Sequence, residues 1–486
     1  MKVSVAVQAI TCGSLLCLST TLCFGQSISN GGLQYLQTIT IPGWGQSGAT
    51  QANYDLLGFN PATRIMYIAD RLSKGITAIN TRSNVFIGIM PMPNGSSPNG
   101  VQVAPDLQLL VVTDGQKNVW VWDLRLPGNP PQQYAIPNIG GGTDAMDYDP
   151  ANQTIYFING TAPYYMTLLN LAFRTITSQL QLPWSPELTA YNTTDGLIWQ
   201  VITDGDNKNA NAGVIAYDPV ANKIVNQVLT PNCVPHGIKI DPVSNVALLG
   251  CGTNQGQVMV NLKDGTILKT FSDVTGTDLM DYNPNLRRFY TGSAGNKSTT
   301  TGCPTDTTSS QPIIGIFEAP LVNGVVQPKL DGVACMGRNG KVGVDPIENT
   351  VYVPTRQYPV DPTVPTTGSA GVQVYRDLTP PVQPLLSSAV ALLKPLPGSS
   401  AGPVTVNMTP DARVLRLSAY PTGVKGSTVL ISLSTTVTNE VVPCAADPAS
   451  GNAVCGADLM GDPLIGGMVT LSVDGVPVAR GPVTGQ

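Results

Sequence analysis

Histidine is almost absent from this chain: His236 is the only one in 486 residues. A lone imidazole excludes the multi-histidine zinc sets on which many hydrolases depend. Charge is scarce too, with Lys, Arg, Asp and Glu together at 12% and a formal net charge of −5. No run of Lys or Arg occurs, so neither a phosphate-tracking surface nor a patch for anionic membranes is expected, and no nucleic-acid partner follows. After the first residues, no stretch reaches the ~18 apolar residues of a membrane helix. There is no CxxC zinc spacing, and without GxSxG a Ser/His/Asp triad has no motif to rest on.

What is abundant is glycine and proline, 50 and 41 residues. With Asn, Gln, Ser and Thr supplying most of the polarity, this is the composition of many secreted β-proteins. Residues 1–25, "MKVSVAVQAITCGSLLCLSTTLCFG", place Lys2 before an apolar run and suit cleavage after Gly25 as a signal peptide. Cys17 and Cys23 both follow Leu, which does not suit a lipoprotein anchor. The expected location is secreted, periplasmic or cell-surface, with no transmembrane segment in the mature chain. Six cysteines then remain, Cys233, Cys251, Cys303, Cys335, Cys444 and Cys455, an even count that suggests disulfides in an oxidising compartment.

A repeat runs through most of the chain. A short apolar run ends in a proline or turn position at Pro61, Pro105, Pro150, Thr193, Pro242, Pro284 and Pro346, as in "AMDYDP" and "LMDYNP". The intervals are 42 to 49 residues except the last, 62, which contains the Ser/Thr-rich insertion 295–311. Such a period signals a propeller or solenoid, and four short strands per copy match a propeller blade. The seventh copy stops after "AGVQVYRDL", because the prolines of "TPPVQP" deny ladder donors. "LQYLQTITIP" near the mature N-terminus has the character of the missing outer strand. The expected fold is therefore all-β: a seven-bladed β-propeller over 34–377, closed by an N-terminal strand.

The segments "SPNGVQVAPDLQLLVVTDGQKNVWVWDL" and "PHGIKIDPVSNVALLGCGTNQGQVMVNL" resemble repeats of secreted YVTN/NHL-type β-propellers. That superfamily hosts lactonases, lyases and cell-surface binding proteins, so the resemblance implies a fold more than a reaction. A Pro-rich linker, 378–397, leads to 398–486, where "VTVNM", "RVLRLSAYP", "STVLISLSTTV" and "MVTLSVDGVPVA" read as strands of a small β-sandwich. "VTLSVDGVPVARGPVTG" resembles a strand pair of bacterial immunoglobulin-like modules, which normally continue further, so a truncated sandwich is expected.

Six positions before each anchor lies the start of a blade's innermost strand, which borders the central channel. This register selects Asp55, Asn99, Asp144, Glu187, His236 and Asp278, with Asn339 beside Gly340 in the seventh copy. Carboxylates, an imidazole and amide oxygens converging on one axis could hold a divalent cation, calcium being favoured and no cofactor fixed. Asp144 and Asp278 are the metal candidates; Asp55, Asn99 and Asn339 are ligand-binding candidates. Crowded carboxylates without a cation would raise a pKa, making His236 and Glu187 candidates for acid/base catalysis. Asp and Asn at such junctions also cap turns and satisfy backbone donors. The resembled lactonases hold a metal on acidic and amide side chains at the channel mouth, but none of their diagnostic motifs is matched.

The register also pairs the cysteines. Cys233 and Cys251 fall on the face of His236, Cys303 and Cys335 would staple the insertion, and Cys444 and Cys455 flank "AADPASGNAV". Trp120 and Trp122 alternate with valines and are expected to pack between blades rather than offer a sugar platform. The function expected first is a binding or interaction module at or outside the cell surface, with a protein or glycan partner. The alternative is a metal-dependent hydrolase or lyase at the channel mouth. Whether the chain is an enzyme, and its oligomeric state, are left open by the sequence.

Overall fold

The repeat exists as geometry at its turns. Three residues after each anchor the backbone enters the left-handed region: Arg64, Gln108, Gln153, Gly196, Asn245, Arg287 and Asn349 have φ between 51° and 72°. That conformation closes a tight hairpin between the first two strands of each copy. In six of the seven copies the residue before the anchor locks it; the second has Ala104 there. Asn60, Asp149, Asn192, Asp241, Asn283 and Asp345 each accept a backbone N–H from the turn through a side-chain oxygen.

The computed structural model describes residues 30–44, 53–126, 128–150, 152–203, 210–252, 254–297, 301, 303, 305, 309–338, 340–356 and 370–380. Beyond these it describes the strand segments 389–396, 404–411, 414–419, 429–434, 439–446, 453–457, 467–473 and 476–485. The signal-peptide reading of residues 1–25 and the candidate Asn339 lie outside them.

Seven antiparallel sheets of four strands are present among the described residues. Their first strands are Tyr54–Asn60, Pro98–Ala104, Thr143–Asp149, Pro186–Asn192, Pro235–Asp241, Met280–Asn283 and Gly343–Asp345. Each first strand touches the next, and the last touches the first, so the sheets stand in a ring. The last sheet takes its outer strand from the other end of the chain. Leu33–Thr40 pairs with Gly371–Asp377, Leu33 opposite Asp377 and Thr40 opposite Gly371.

Burial follows position in the sheet. A second strand such as Leu109–Asp114 is packed on both faces and buried throughout, so it reads as a continuous apolar run. The outer strand Lys223–Leu229 is exposed at six of its seven residues. The core lies in layers between neighbouring sheets; Trp120 and Trp122 pack with Tyr67 and Leu110 between the first and second. They are interior residues, not a surface platform. Buried ion pairs tie the ring at its seam: Arg64 reaches Asp345 at 2.9 Å. Arg288 donates to Asp377 at 2.9 Å and to Glu318 at 2.6 Å, and also bonds Asp331.

The C-terminal part forms a second unit. Its eight strands run Ala389–Pro395, Val404–Asp411, Val414–Ala419, Val429–Ser434, Asn439–Ala446, Ala453–Ala457, Met468–Val473 and Val476–Gly485. They are hydrogen-bonded in one closed order, whereas an immunoglobulin-like sandwich was expected from the sequence. The difference comes from Ala389–Pro395, within the stretch read as linker, which pairs with both Val404–Asp411 and Val476–Gly485 and closes the ladder. Prolines on both sides hid that strand. The unit docks at the anchor end of the ring, where buried Arg480 pairs with Asp106 and the Tyr148 hydroxyl donates to the same carboxylate at 3.1 Å.

Candidate functional site

The opposite end of the ring carries the rim residues, and a repeated irregularity marks them. In the first five sheets the pairing between first and second strands shifts register at the rim position itself: Tyr54/Leu57, Pro98/Gly100, Thr143/Met146, Pro186/Thr189 and Pro235/Gly237. Asp55, Asn99, Asp144, Glu187 and His236 sit within those shifts. A bulge frees one residue from the ladder and re-aims its side chain.

Four of these residues, with Asp278, form one electrostatic cluster. Burial first, then the negative charges of Asp55 and Glu187, push the Asp144 carboxyl up to about 7, against the opposing pull of Arg71 and Lys341. Glu187 Oε1 lies 3.8 Å from His236 Nδ1. That contact raises the imidazole pKa despite the opposing effect of burial, with Asp278 adding to the rise. Asn99 takes another role, its amide donating to the Thr143 carbonyl at 2.7 Å across the sheet boundary. It is a structural tie between the second and third sheets.

Two cations that the register did not select complete the cluster. Lys341 Nζ lies 3.0 Å from Asp55 Oδ1 and 2.6 Å from Asp278 Oδ2, bridging the first and sixth sheets. Arg71 pairs with the other oxygen of Asp55. Burial pushes the Asp278 carboxyl up, but the Lys341 ammonium more than offsets this and holds it below the ordinary value. The calcium expectation, with Asp144 and Asp278 as ligands, meets this arrangement: among the described residues no three His, Cys, Asp or Glu side chains gather as a metal set. The counter-charge that a cation would bring is supplied by Lys341 and Arg71.

Arg71 had a sequence signal in a second register. The residue following the second strand of each sheet is Arg71, Gly115, Gly160, Thr203, Gly252, Ala294 and Arg356 in turn. Two arginines stand where the other copies keep a small side chain, and they belong to adjacent sheets. Lys341 is harder to see, because the last copy enters its first strand later than the others.

An open cavity of about 490 Å³ lies off the axis at this mouth, walled by loops of the fifth, sixth, seventh and first sheets. Arg71, Arg356, Lys341, His236 and Asp278 line it. Close approach of glycines shapes it: a Cβ on Gly252 would stand 3.3 Å from His236 Nε2, and one on Gly340 would meet Asp278 Cβ at 2.8 Å. Disulfides brace both flanks. Cys233–Cys251 ends one residue before Gly252, and Cys303–Cys335 joins the insertion to the strand leading toward Arg338 and Lys341. The side chains of Cys444 and Cys455 lie outside the described ones.

No family model matches the chain, and no curated protein matches it. Among solved structures, a chain of "Crystal Structure of Mitotic Checkpoint Complex" superposes with a TM-score of 0.50 over 78% of this chain and 99% of that one, at 12% identity. The fold is propeller-like. At that identity the likeness concerns architecture alone. Among the described residues no helix is long and apolar enough to cross a membrane.

Proposed function

We propose that the chain is an exported seven-bladed propeller of the YVTN/NHL type that acts as a binding module at or outside the cell surface. Its recognition face is the channel mouth, and its partner is a protein or a glycan. The observation that carries this reading is the open 490 Å³ cavity, whose walls come from four neighbouring sheets and whose flanking loops are held by two disulfides. Loops on a rigid scaffold are where recognition concentrates, and a cavity of this volume falls in the range of small-ligand sites. Disulfides also suit an oxidising location.

The test replaces residues 298–308 by a short Gly/Ser linker together with Cys335→Ser, so that no thiol is left unpaired. Capture of glycans from an immobilised panel and of proteins from the producing cell's surface is compared with the native chain. Loss of capture with melting retained supports the reading; capture unchanged refutes it.

A second reading has its own observation. A carboxyl near neutrality at Asp144, beside the Glu187–His236 pair, is poised for acid/base chemistry of a hydrolase or lyase. Turnover of a lactone and uronide panel, abolished by Asp144→Asn, is what that alternative requires.

A further inference from the structure

The mouth cavity is electrically divided. Its seventh- and first-sheet side carries Arg338, Lys341, Arg356, Arg71 and the Tyr54 phenol; its fifth- and sixth-sheet side carries His236 and Asp278. Arg71 is committed to Asp55, and Lys341 to Asp55 and Asp278. Among the described residues Arg356 has no carboxylate partner, and its guanidinium bonds only Asn53 Oδ1, at 3.5 Å. Beside it, the Tyr54 hydroxyl is buried and has no hydrogen-bond partner among the described residues. A buried donor left unpaired costs free energy, and a guanidinium fork matches the two oxygens of a carboxylate. Both therefore want an acceptor in the same corner.

The other side asks for donors. Asp278 keeps 52% of its side chain exposed and presents carboxylate oxygen to the cavity. Beside that carboxylate a dianion such as phosphate meets a repulsion that neutral hydroxyl groups do not, and the hydroxyls can donate to it. The remaining wall is small and polar, with Gly252, Gly276, Gly295 and Gly340 among its residues. No Leu, Ile, Val, Met, Phe or Trp lines the cavity, so it offers no apolar recess for peptide side chains.

We infer that this cavity takes one uronate residue of an acidic glycan, its carboxylate on Arg356 and Tyr54 and its hydroxyls toward Asp278 and His236. The inference rests on the binding-module reading and names the ligand class for the same site.

Calorimetric titration of the full chain with glucuronate, glucose, inorganic phosphate and hexaglutamate tests it. Glucuronate is expected to bind saturably and glucose at least tenfold more weakly. Arg356→Gln should weaken glucuronate at least tenfold, Arg356→Lys less, and Arg82→Gln, on an exposed turn, not at all. Equal binding of glucose, preference for phosphate or hexaglutamate, or unchanged affinity in Arg356→Gln with native melting would overturn it. If Arg356→Gln does not fold, the Arg356→Lys comparison decides on the same terms. No glucuronate binding also overturns the uronate assignment, whereas the binding-module reading falls only if capture survives replacement of residues 298–308.

Discussion

Replacing Asp144 by Asn tests the electrostatics of the mouth most directly. In the folded chain burial and the charges of Asp55 and Glu187 place this carboxyl at about 7, against an ordinary value of 3.8. Between those values the folded protein keeps a proton that the unfolded chain has released. Native stability contributed by this site therefore falls as pH rises from about 4 to about 7 and then levels off. Linkage across that interval limits the effect to about 4 kcal/mol. Asp144 is only half-buried, so solvent screening brings the expectation to about 1–2 kcal/mol. Asparagine cannot ionise and escapes this cost. Urea unfolding followed by tryptophan fluorescence, at fixed ionic strength, should show Asp144→Asn gaining on the native protein from pH 4 to pH 7. Above pH 7 the gap should stay constant. A gap independent of pH, or one widening toward acid, would refute the reasoning.

Three further outcomes are expected. His236 gives the only imidazole signal in the chain, and its NMR titration midpoint should lie above 6.5 and drop in Glu187→Gln. Because the folded pKa is raised, the contact stabilises fully below the unfolded value and is lost as pH rises through the folded one; an unchanged midpoint in Glu187→Gln would contradict the pairing. Lys341→Met should destabilise by about 1–3 kcal/mol, because Asp55 keeps only Arg71 and Asp278 loses its cation. Asp278→Asn in the same chain should recover part of that in a double-mutant cycle, and strictly additive changes would mean no coupling. Removing the Cys303–Cys335 bridge by double serine substitution should cost about 2–4 kcal/mol and expose the insertion to protease, as measured by melting and limited digestion.

The anchors at Pro61 to Pro346 were legible because the turns share local chemistry, a left-handed residue three places after each anchor and, in six of the seven, an Asx side chain just before it. Local chemistry repeats in sequence, so register could be read and five of the six described rim candidates fell into one cluster. Asn99 departed, its side-chain amide donating to the Thr143 carbonyl of the next sheet. Asn170, Asn192 and Asn296 illustrate how many Asn side chains serve such turns and loops. The C-terminal unit was less legible, because its closing strand Ala389–Pro395 pairs with a partner almost ninety residues away and carries no local mark.

The order of strands, the seven turn positions and the pairing of Cys233 with Cys251 and Cys303 with Cys335 are set by features within a single copy or between adjacent copies. Sequence alone could determine these because each depends on short-range spacing and backbone preference. Which charges neutralise one another at the channel mouth was decided only by the closed ring. Lys341 meets Asp55 because the chain returns to its start after nearly three hundred residues, and Arg356 comes to stand beside Tyr54 for the same reason. Coulombic interaction depends on distance in space, and that distance exists only once the ring is closed.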